Sequence, residues 1–136
     1  MSTIVVGYVP KPEGRAALRR AVEEARLRGA RLIVINSARG GRDFDADDAV
    51  DSEAELDAVR AELAEAGVEA EVRQLVRGLD VAEDLIAVAQ DTSADFIIIG
   101  LRRRSPVGKL ILGSNAQRIL LDAPCPVLSV KAGEAE

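Results

Sequence analysis

The chain has 136 residues, 48% of them hydrophobic and 30% charged, which suits one domain with a sizeable core and a well-solvated surface. Its net charge of −5 argues against nucleic acid as a partner, because nucleic-acid binding rewards basic surfaces, and an aromatic content of 2% offers few platforms for base stacking. Histidine is absent, which excludes His-based acid–base catalysis, Ser-His and Cys-His nucleophile pairs and His-ligated metals.

The sequence favours a cytoplasmic location without a membrane partner. No apolar run approaches the roughly 20 residues that span a bilayer, and the opening MSTIVVGYVPKPEG lacks the basic and long apolar regions of a signal peptide. Cys125 is the only cysteine, so no intramolecular disulfide can form, which is compatible with a reducing compartment. We expect its thiol to pack as a small apolar side chain between two prolines.

Apolar periodicity predicts five strands alternating with four helices. The predicted ranges, in chain order, are strand Thr3–Val9, helix Glu13–Arg28 stopped by Gly29, strand Arg31–Ser37, helix Asp51–Ala66 stopped by Gly67, half-exposed strand Val68–Val76, helix Asp80–Gln90, strand Phe96–Ile99, helix Ser114–Asp122 and strand Val127–Lys131. Two pairs resemble capping boxes at helix starts, Asp80 with Glu83 and Ser114 with Gln117. This alternation predicts an α/β domain, residues 1–132, with an open parallel sheet, helices on both faces and a flexible tail at 133–136.

The segment GLRRRSPVGKLILGS, Gly100 to Ser114, joins a predicted buried strand to a helix. Ligands of open α/β sheets sit beyond the carboxyl ends of the strands, and the N–H groups of a helix start attract an anion, which Gly113 would let approach closely. The segment is not a Walker A loop, because seven residues separate its first two glycines and no Ser or Thr follows its lysine. Two interpretations stay open: a phosphate site, or glycines that serve backbone geometry beside a helix-capping serine.

An acidic segment, DFDADD from Asp43 to Asp48, lies in a predicted polar loop spanning Ala38–Val50. An EF-hand would place Gly at its sixth position and Glu at its twelfth, whereas this chain has Asp48 and Ala54 there. We therefore expect a solvated loop and no metal site, with a weak Mg²⁺ or Ca²⁺ contact as the alternative.

The pattern Gly100-x2-Arg103-x9-Gly113-Ser114, followed by PCPVLSV at Pro124–Val130, resembles the universal stress protein family. Nucleotide-binding members carry a G-x2-G-x9-G-[ST] loop before a helix and a PCPVL-type final strand. The opening IVVGYV, the VRG turn and the ADFIIIG strand extend the resemblance over the whole chain. It implies a sheet of order 3-2-1-4-5, an adenine-nucleotide alpha-hydrolase-like fold, a homodimer formed through Val127–Val130, and a role in stress survival, often with bound ATP or AMP.

The resemblance also implies a set of nucleotide-binding positions: Val9, Gly100, Arg102, Arg103, Gly113, Ser114 and Asn115. Two of them depart from the family pattern. Arg103 stands where the family has its second glycine, and Val9 replaces the aspartate of V-D-G-S that helps hold the adenosine. The run Arg102–Arg104 with Lys109 could offset these losses by pairing with phosphate, or it could be a solvated loop.

Three functions follow from these observations. The first is a non-catalytic protein that responds to ATP or AMP, with Mg²⁺ as a companion of the phosphates. The second is a homodimeric scaffold of the same fold that binds no nucleotide and acts through unknown protein partners. The third, a slow ATPase, ranks last because neither a general base nor a metal cluster supports it, so we expect no enzyme activity and no catalytic residues.

Overall fold

Five strands alternate with four helices in the computed structural model, which describes residues 2–37, 46–75, 81–101 and 114–132. In chain order the elements are β1 Thr3–Gly7, α1 Pro12–Arg28, β2 Arg31–Ser37, α2 Ala46–Glu65, β3 Ala70–Leu75, α3 Val81–Thr92, β4 Phe96–Leu101, α4 Ser114–Asp122 and β5 Val127–Lys131. None of the described helices is long and apolar enough to cross a membrane.

The sheet has the order β3-β2-β1-β4-β5, and every neighbouring pair is parallel. This confirms the predicted order 3-2-1-4-5. Strand β1 lies at the centre, where Val5 pairs with Ile33 of β2 on one side and with Ile97 of β4 on the other. Because the winding of the chain reverses at β1, a crevice is expected where the carboxyl ends of β1 and β4 diverge.

Helices cover both faces of the sheet, as the sequence predicts. Alternate residues of each strand point to opposite faces, so Ile4 and Val6 pack with α1 and α2, whereas Val5 packs with α3 and α4. The apolar stripe predicted on the second helix is confirmed by the burial of Leu56, Val59 and Leu63.

Helix α2 begins at Ala46, and the prediction that it begins at Asp51 was wrong. Residues 46–50, assigned to the polar loop, are helical. Acidic residues are favoured in the first turn of a helix, where they oppose the positive end of its dipole, so an aspartate-rich stretch does not by itself indicate a loop. The first part of the acidic segment lies outside the described residues, and the described part of the chain contains no group of His, Cys, Asp or Glu that could hold a metal ion.

The two central strands differ from their predicted ends. Strand β1 stops at Gly7 rather than Val9, because the Lys11 N–H donates to the Val9 carbonyl (2.8 Å) and turns the chain into α1. Strand β4 continues past Ile99 to Leu101, since Gly100 pairs with Val130 of β5. Gly100 is therefore a strand residue and not the first residue of a loop.

Other boundaries shift by one or two residues. Helix α1 begins at Pro12. Proline suits the first helical position because it lacks an N–H, and the N–H of a residue there would have no partner within the helix. Strand β3 spans Ala70–Leu75, within the predicted Val68–Val76. Helix α4 begins at Ser114 as expected. Asp80, half of one proposed capping box, lies outside the described residues, and the carboxylate of Glu83 pairs with Arg118 of α4 at 2.9 Å.

Helices α1 and α3 end in the same way with different residues. Gly29 adopts φ 61°, and the Ala30 N–H donates to the Ala25 carbonyl at 2.9 Å, which confirms the predicted glycine stop. Helix α3 runs to Thr92 rather than Gln90, and Ser93 takes the left-handed position with φ 52°. No glycine marks this end in the sequence, and the predicted end at Gln90 is two residues short.

Candidate functional site

A cleft with a volume of about 130 Å³ opens at the carboxyl ends of β1, β2 and β4. It lies where the winding of the sheet reverses, the usual ligand position in an open α/β fold. Its floor is apolar and formed by Ile35, Leu85, Ile99 and Ile119. The polar residues Tyr8, Glu13 and Asn115 also line the cleft. An apolar floor with a few polar groups suits a small organic ligand.

Three of the predicted site residues meet in this cleft: Val9, Gly100 and Asn115. Their elements are far apart in sequence, so the fold brings together what the family pattern indicated. Ser114 begins α4 next to Asn115, but its side chain is outside the described part of the structure. Arg102, Arg103 and Gly113 lie outside the described residues, and their roles stay predictions.

Two glycines allow the first turn of α1 to lie against the strand ends. A Cβ added at Gly100 would stand 2.0 Å from the carbonyl oxygen of Glu13, and one at Gly14 would stand 1.9 Å from that of Val9. Both distances are far inside van der Waals contact, so neither position accepts a side chain without a backbone shift. The glycine at position 100 thus has a packing role, whereas the sequence-based hypothesis of close phosphate approach concerned Gly113.

The connection between β1 and α1 is held by hydrogen bonds. The Tyr8 N–H donates to the Ile35 carbonyl at 2.9 Å, and the Asn36 side-chain amide donates to the Tyr8 carbonyl at 3.1 Å. Asn36 is itself buried. These bonds fix the backbone of Tyr8 and Val9 at the cleft wall, so this part of the site is preorganised.

Tyr8 joins the cleft to α2. Its side chain is only 2% exposed, and its hydroxyl donates to the carboxylate of Glu55, which also pairs with Arg15 at 3.3 Å. Burial, and next the hydrogen bond to Glu55, raise the pKa of the Tyr8 phenol above its usual range. The phenol is therefore neutral at physiological pH, and its hydrogen bond to Glu55 connects the end of β1 to α2.

Glu13 is the site residue that sequence reasoning missed, because it was treated only as the start of a helix. Glu13 lines the cleft and is 9% exposed, and its Oε1 is buried with no hydrogen-bond partner among the described residues. Pro12 in the first helical position could have indicated it. That proline places Glu13 in the helix turn directly after β1, at the edge of the sheet where ligands bind.

The opposite wall of the cleft has the opposite electrostatic character. Helix α4 begins there with Ser114 and Asn115, and its first turn contains no acidic residue. The N–H groups and dipole of a helix start favour an anion. The cleft therefore has a carboxylate on the α1 side and an anion-favouring helix start on the α4 side.

Cys125 behaves as expected for a packing residue. Its half-buried side chain packs against the cluster beneath α3 and α4. Burial, and secondarily the charge of Asp95, raise the pKa of the thiol, so the reactive thiolate is disfavoured.

A doubly wound parallel sheet with a cleft at its switch point defines a class of α/β ligand-binding domains. Comparison with known proteins identifies the family within that class. The model of the universal stress protein family matches residues 1–131, and the chain belongs to this family. A universal stress protein of Mycolicibacterium smegmatis is 47% identical over 128 residues, which cover 94% of this chain and 96% of the relative.

Solved structures agree with this assignment. A universal stress protein from Archaeoglobus fulgidus is 37% identical and superposes with a TM-score of 0.83, covering 96% of this chain and 99% of that one. A second structure from A. fulgidus, a universal stress protein in complex with dAMP, is 31% identical with a TM-score of 0.77, covering 96% and 98%. The recognition and the fold expected from the sequence are thereby confirmed.

Proposed function

We propose that this chain is a non-catalytic stress-response protein of the cytoplasm that binds AMP or ATP in the cleft. The observation that carries the proposal is the meeting of Val9, Gly100 and Asn115 around an apolar pocket beside the start of α4. The A. fulgidus structure with dAMP, 31% identical to this chain, supports an adenine nucleotide as the ligand.

The size of the cleft indicates which part of a nucleotide it would hold. At about 130 Å³ it is smaller than the roughly 300 Å³ at which ordinary ligand sites begin. Only part of the nucleotide would fit below the rim. The apolar floor suits the sugar carbons or the edge of the base, and the phosphates would lie at the start of α4, where N–H groups face an anion.

The cations for the phosphates would come from the arginine run. Arg102 and Arg103 precede α4 in the chain, and guanidinium groups pair well with phosphate oxygens. In our proposal Mg²⁺ would enter with the phosphates of ATP rather than occupy a protein site, since the described residues offer no group of metal ligands.

Calorimetric titration of nucleotide-free protein with AMP and ATP, with and without Mg²⁺, tests the proposal. The paired variants are Ala116→Phe, which fills the half-buried cleft wall on α4, and Leu120→Phe, which enlarges an exposed side chain of the same helix. We expect saturable one-site binding that Ala116→Phe abolishes and Leu120→Phe retains. Absence of heat at millimolar nucleotide, with no shift in Tm, would contradict the proposal.

The proposal includes no turnover. The chain has no histidine, and Tyr8, with its raised pKa, is a poor proton acceptor at neutral pH because the phenol stays protonated. ATP incubated with stoichiometric protein should therefore release phosphate no faster than ATP alone, and a rate proportional to protein concentration would contradict this.

We further propose that two copies pair through β5. In the described sheet β5 is an edge strand, and Leu128 and Val130 are only half-buried. The Ile97 N–H donates to the Pro126 carbonyl, and the Ala132 N–H donates to the Leu101 carbonyl. The backbone N–H and carbonyl groups of even-numbered residues in and around β5 therefore point towards β4. Ser129 therefore directs its backbone N–H outward, where a twin strand across a twofold axis could accept it.

Substitution at this position separates edge pairing from folding. Ser129→Pro removes an outward N–H and leaves the bonds to β4, whereas Ser129→Ala keeps the N–H. We expect the first to dissociate a dimer in sedimentation velocity and the second to retain it. If the unmodified protein is monomeric, the dimer proposal fails. A dimer that binds no nucleotide would instead favour the alternative, a scaffold that acts through protein partners.

A further inference from the structure

We propose that Glu13 binds the sugar hydroxyls of the nucleotide. It would thereby supply a carboxylate in place of the aspartate that Val9 replaces in this chain. This inference rests on the proposed function. It concerns a residue in the first turn of α1, four positions after Val9 in the sequence, on the same cleft.

The burial of Glu13 carries the first step. Its side chain is 9% exposed, and Oε1 has no hydrogen-bond partner among the described residues. A buried carboxylate oxygen without a donor is unfavourable, because it has lost water and gained nothing in return. Such a group at a cleft is satisfied when a ligand delivers hydrogen-bond donors.

The shape of the site carries the second step. The carbonyl of Glu13 lies against Gly100, at 2.0 Å from a Cβ built there, and its Cβ stands 3.1 Å from the same point. This close packing fixes the Cβ of Glu13, where its side chain begins, near the end of β4. The described residues form no ion pair with its carboxylate.

The negative charge of Glu13 indicates which part of the nucleotide it contacts. A carboxylate repels phosphate, and the anion-favouring start of α4 lies on the other wall of the cleft at Asn115. The sugar is the part of a nucleotide bonded directly to the phosphate, and it carries hydroxyl donors. With phosphate at α4, the sugar hydroxyls are the donors nearest to Glu13, and they offer the charge-assisted hydrogen bonds that Oε1 lacks.

Paired ligands and paired variants test this assignment by calorimetry. The ligands are AMP and its 2′,3′-dideoxy analogue, which lacks both sugar hydroxyls. The variants are Glu13→Ala and Glu13→Gln, with Glu23→Gln as control, an exposed glutamate of the same helix. We expect the unmodified protein to bind AMP about tenfold more tightly than the analogue, as fits a hydrogen bond to a charged group. Glu13→Ala should remove this preference, Glu13→Gln should reduce it, and Glu23→Gln should leave it unchanged.

The outcomes distinguish the two proposals. Binding of neither ligand by the unmodified protein overturns the proposed function together with this inference. Equal affinity for both ligands, or a loss in Glu13→Ala that is the same for both, overturns the role of Glu13 alone. Inosine monophosphate provides a further arm: if Glu13→Ala removes a preference for AMP over this ligand instead, the carboxylate recognises the base amine, and the assignment to the sugar is wrong.

Thermal unfolding distinguishes a binding role of Glu13 from a structural one, because the two roles predict opposite changes in Tm. Because Oε1 has no hydrogen-bond partner among the residues that the structure describes, Glu13→Gln should leave Tm equal or higher, while the rise in Tm produced by AMP becomes smaller. A lower Tm in Glu13→Gln with an unchanged response to AMP would show that Glu13 serves folding, and the inference would fail.

Discussion

At the scale of single residues, one strong constraint on the site is the backbone contact at Gly100. A methyl group there would stand 2.0 Å from the Glu13 carbonyl oxygen, which a rotation of side chains cannot relieve. At Gly7 the nearest atom to an added Cβ is a methyl carbon of Leu85 at 3.0 Å, the end of a flexible side chain. Two glycines of the same sheet therefore differ in what they tolerate.

We expect Gly100→Ala to lower the free energy of unfolding by about 2–3 kcal/mol, the upper part of the range for overpacking a close-packed interior. Gly7→Ala should cost about 1 kcal/mol or less, since Leu85 can move. Urea unfolding of both variants measures the difference. Equal losses would contradict the contact between α1 and β4 described above.

Tyr8 gives a prediction about pH. Its pKa is raised in the folded protein by burial and then by Glu55, so the phenol contributes stability that is fully present below the ordinary tyrosine pKa of about 10 and is lost as pH rises beyond it. Tyr8→Phe removes this dependence. The unmodified protein should therefore lose stability more steeply above about pH 10 than the variant, as measured by urea unfolding at each pH.

A direct check is spectroscopic, because Tyr8 is the only tyrosine and tryptophan is absent. Ultraviolet absorbance should show the phenol of the folded protein ionising above the usual range, and in denaturant it should return to about 10. An ordinary pKa in the folded protein would contradict the buried hydrogen bond to Glu55.

At the scale of elements, the ends of α1 and α3 form a natural pair. Ser93 occupies the left-handed position after α3 with φ 52°, where a Cβ is strained, and Gly29 occupies the equivalent position after α1 with φ 61° and open space around it. Ser93→Gly should raise stability, and Gly29→Ala should lower it, each by about 1 kcal/mol. Thermal unfolding measures both. Destabilisation by Ser93→Gly would mean that the serine side chain contributes more than its backbone strain costs.

The elements were predictable where the signal is local. Alternating apolar residues and the 3.6-residue period depend on the sequence alone, and they located every strand and helix of the described chain. The start of α2 at Ala46 was missed because aspartates favour both loops and first helical turns. The end of α3 was missed because a serine, and not a glycine, follows it.

The site was predictable only in part, for a physical reason. Val9, Gly100 and Asn115 could be assigned from the family pattern, and they do line one cleft. The packing of Gly100 against α1, and the burial of Glu13 Oε1 away from any hydrogen-bond partner among the described residues, depend on how distant segments pack together. No periodicity or spacing in the sequence carries such contacts, so the role of Glu13 required the fold.

At the scale of the whole molecule, the two halves of the sheet are joined at the start of β1. The Thr3 N–H donates to the carboxylate of Asp95 at 2.8 Å, and the Asp95 N–H donates to the Thr3 carbonyl at 2.8 Å. Asp95→Ala removes the first bond and should cost about 1–2 kcal/mol, whereas Asp95→Asn keeps an acceptor and should cost less. Urea unfolding compares them, and equal losses would indicate that the side-chain bond contributes nothing.

The central position of β1 has a consequence for the order of events during synthesis. Its pairing with β2 joins nearby parts of the chain, but its other edge pairs with β4, whose residues begin only at Phe96. A nascent chain therefore carries an apolar strand with one open edge until β4 has left the ribosome, and open strand edges invite aggregation. The strand that organises the cleft is thus translated well before its pairing is complete.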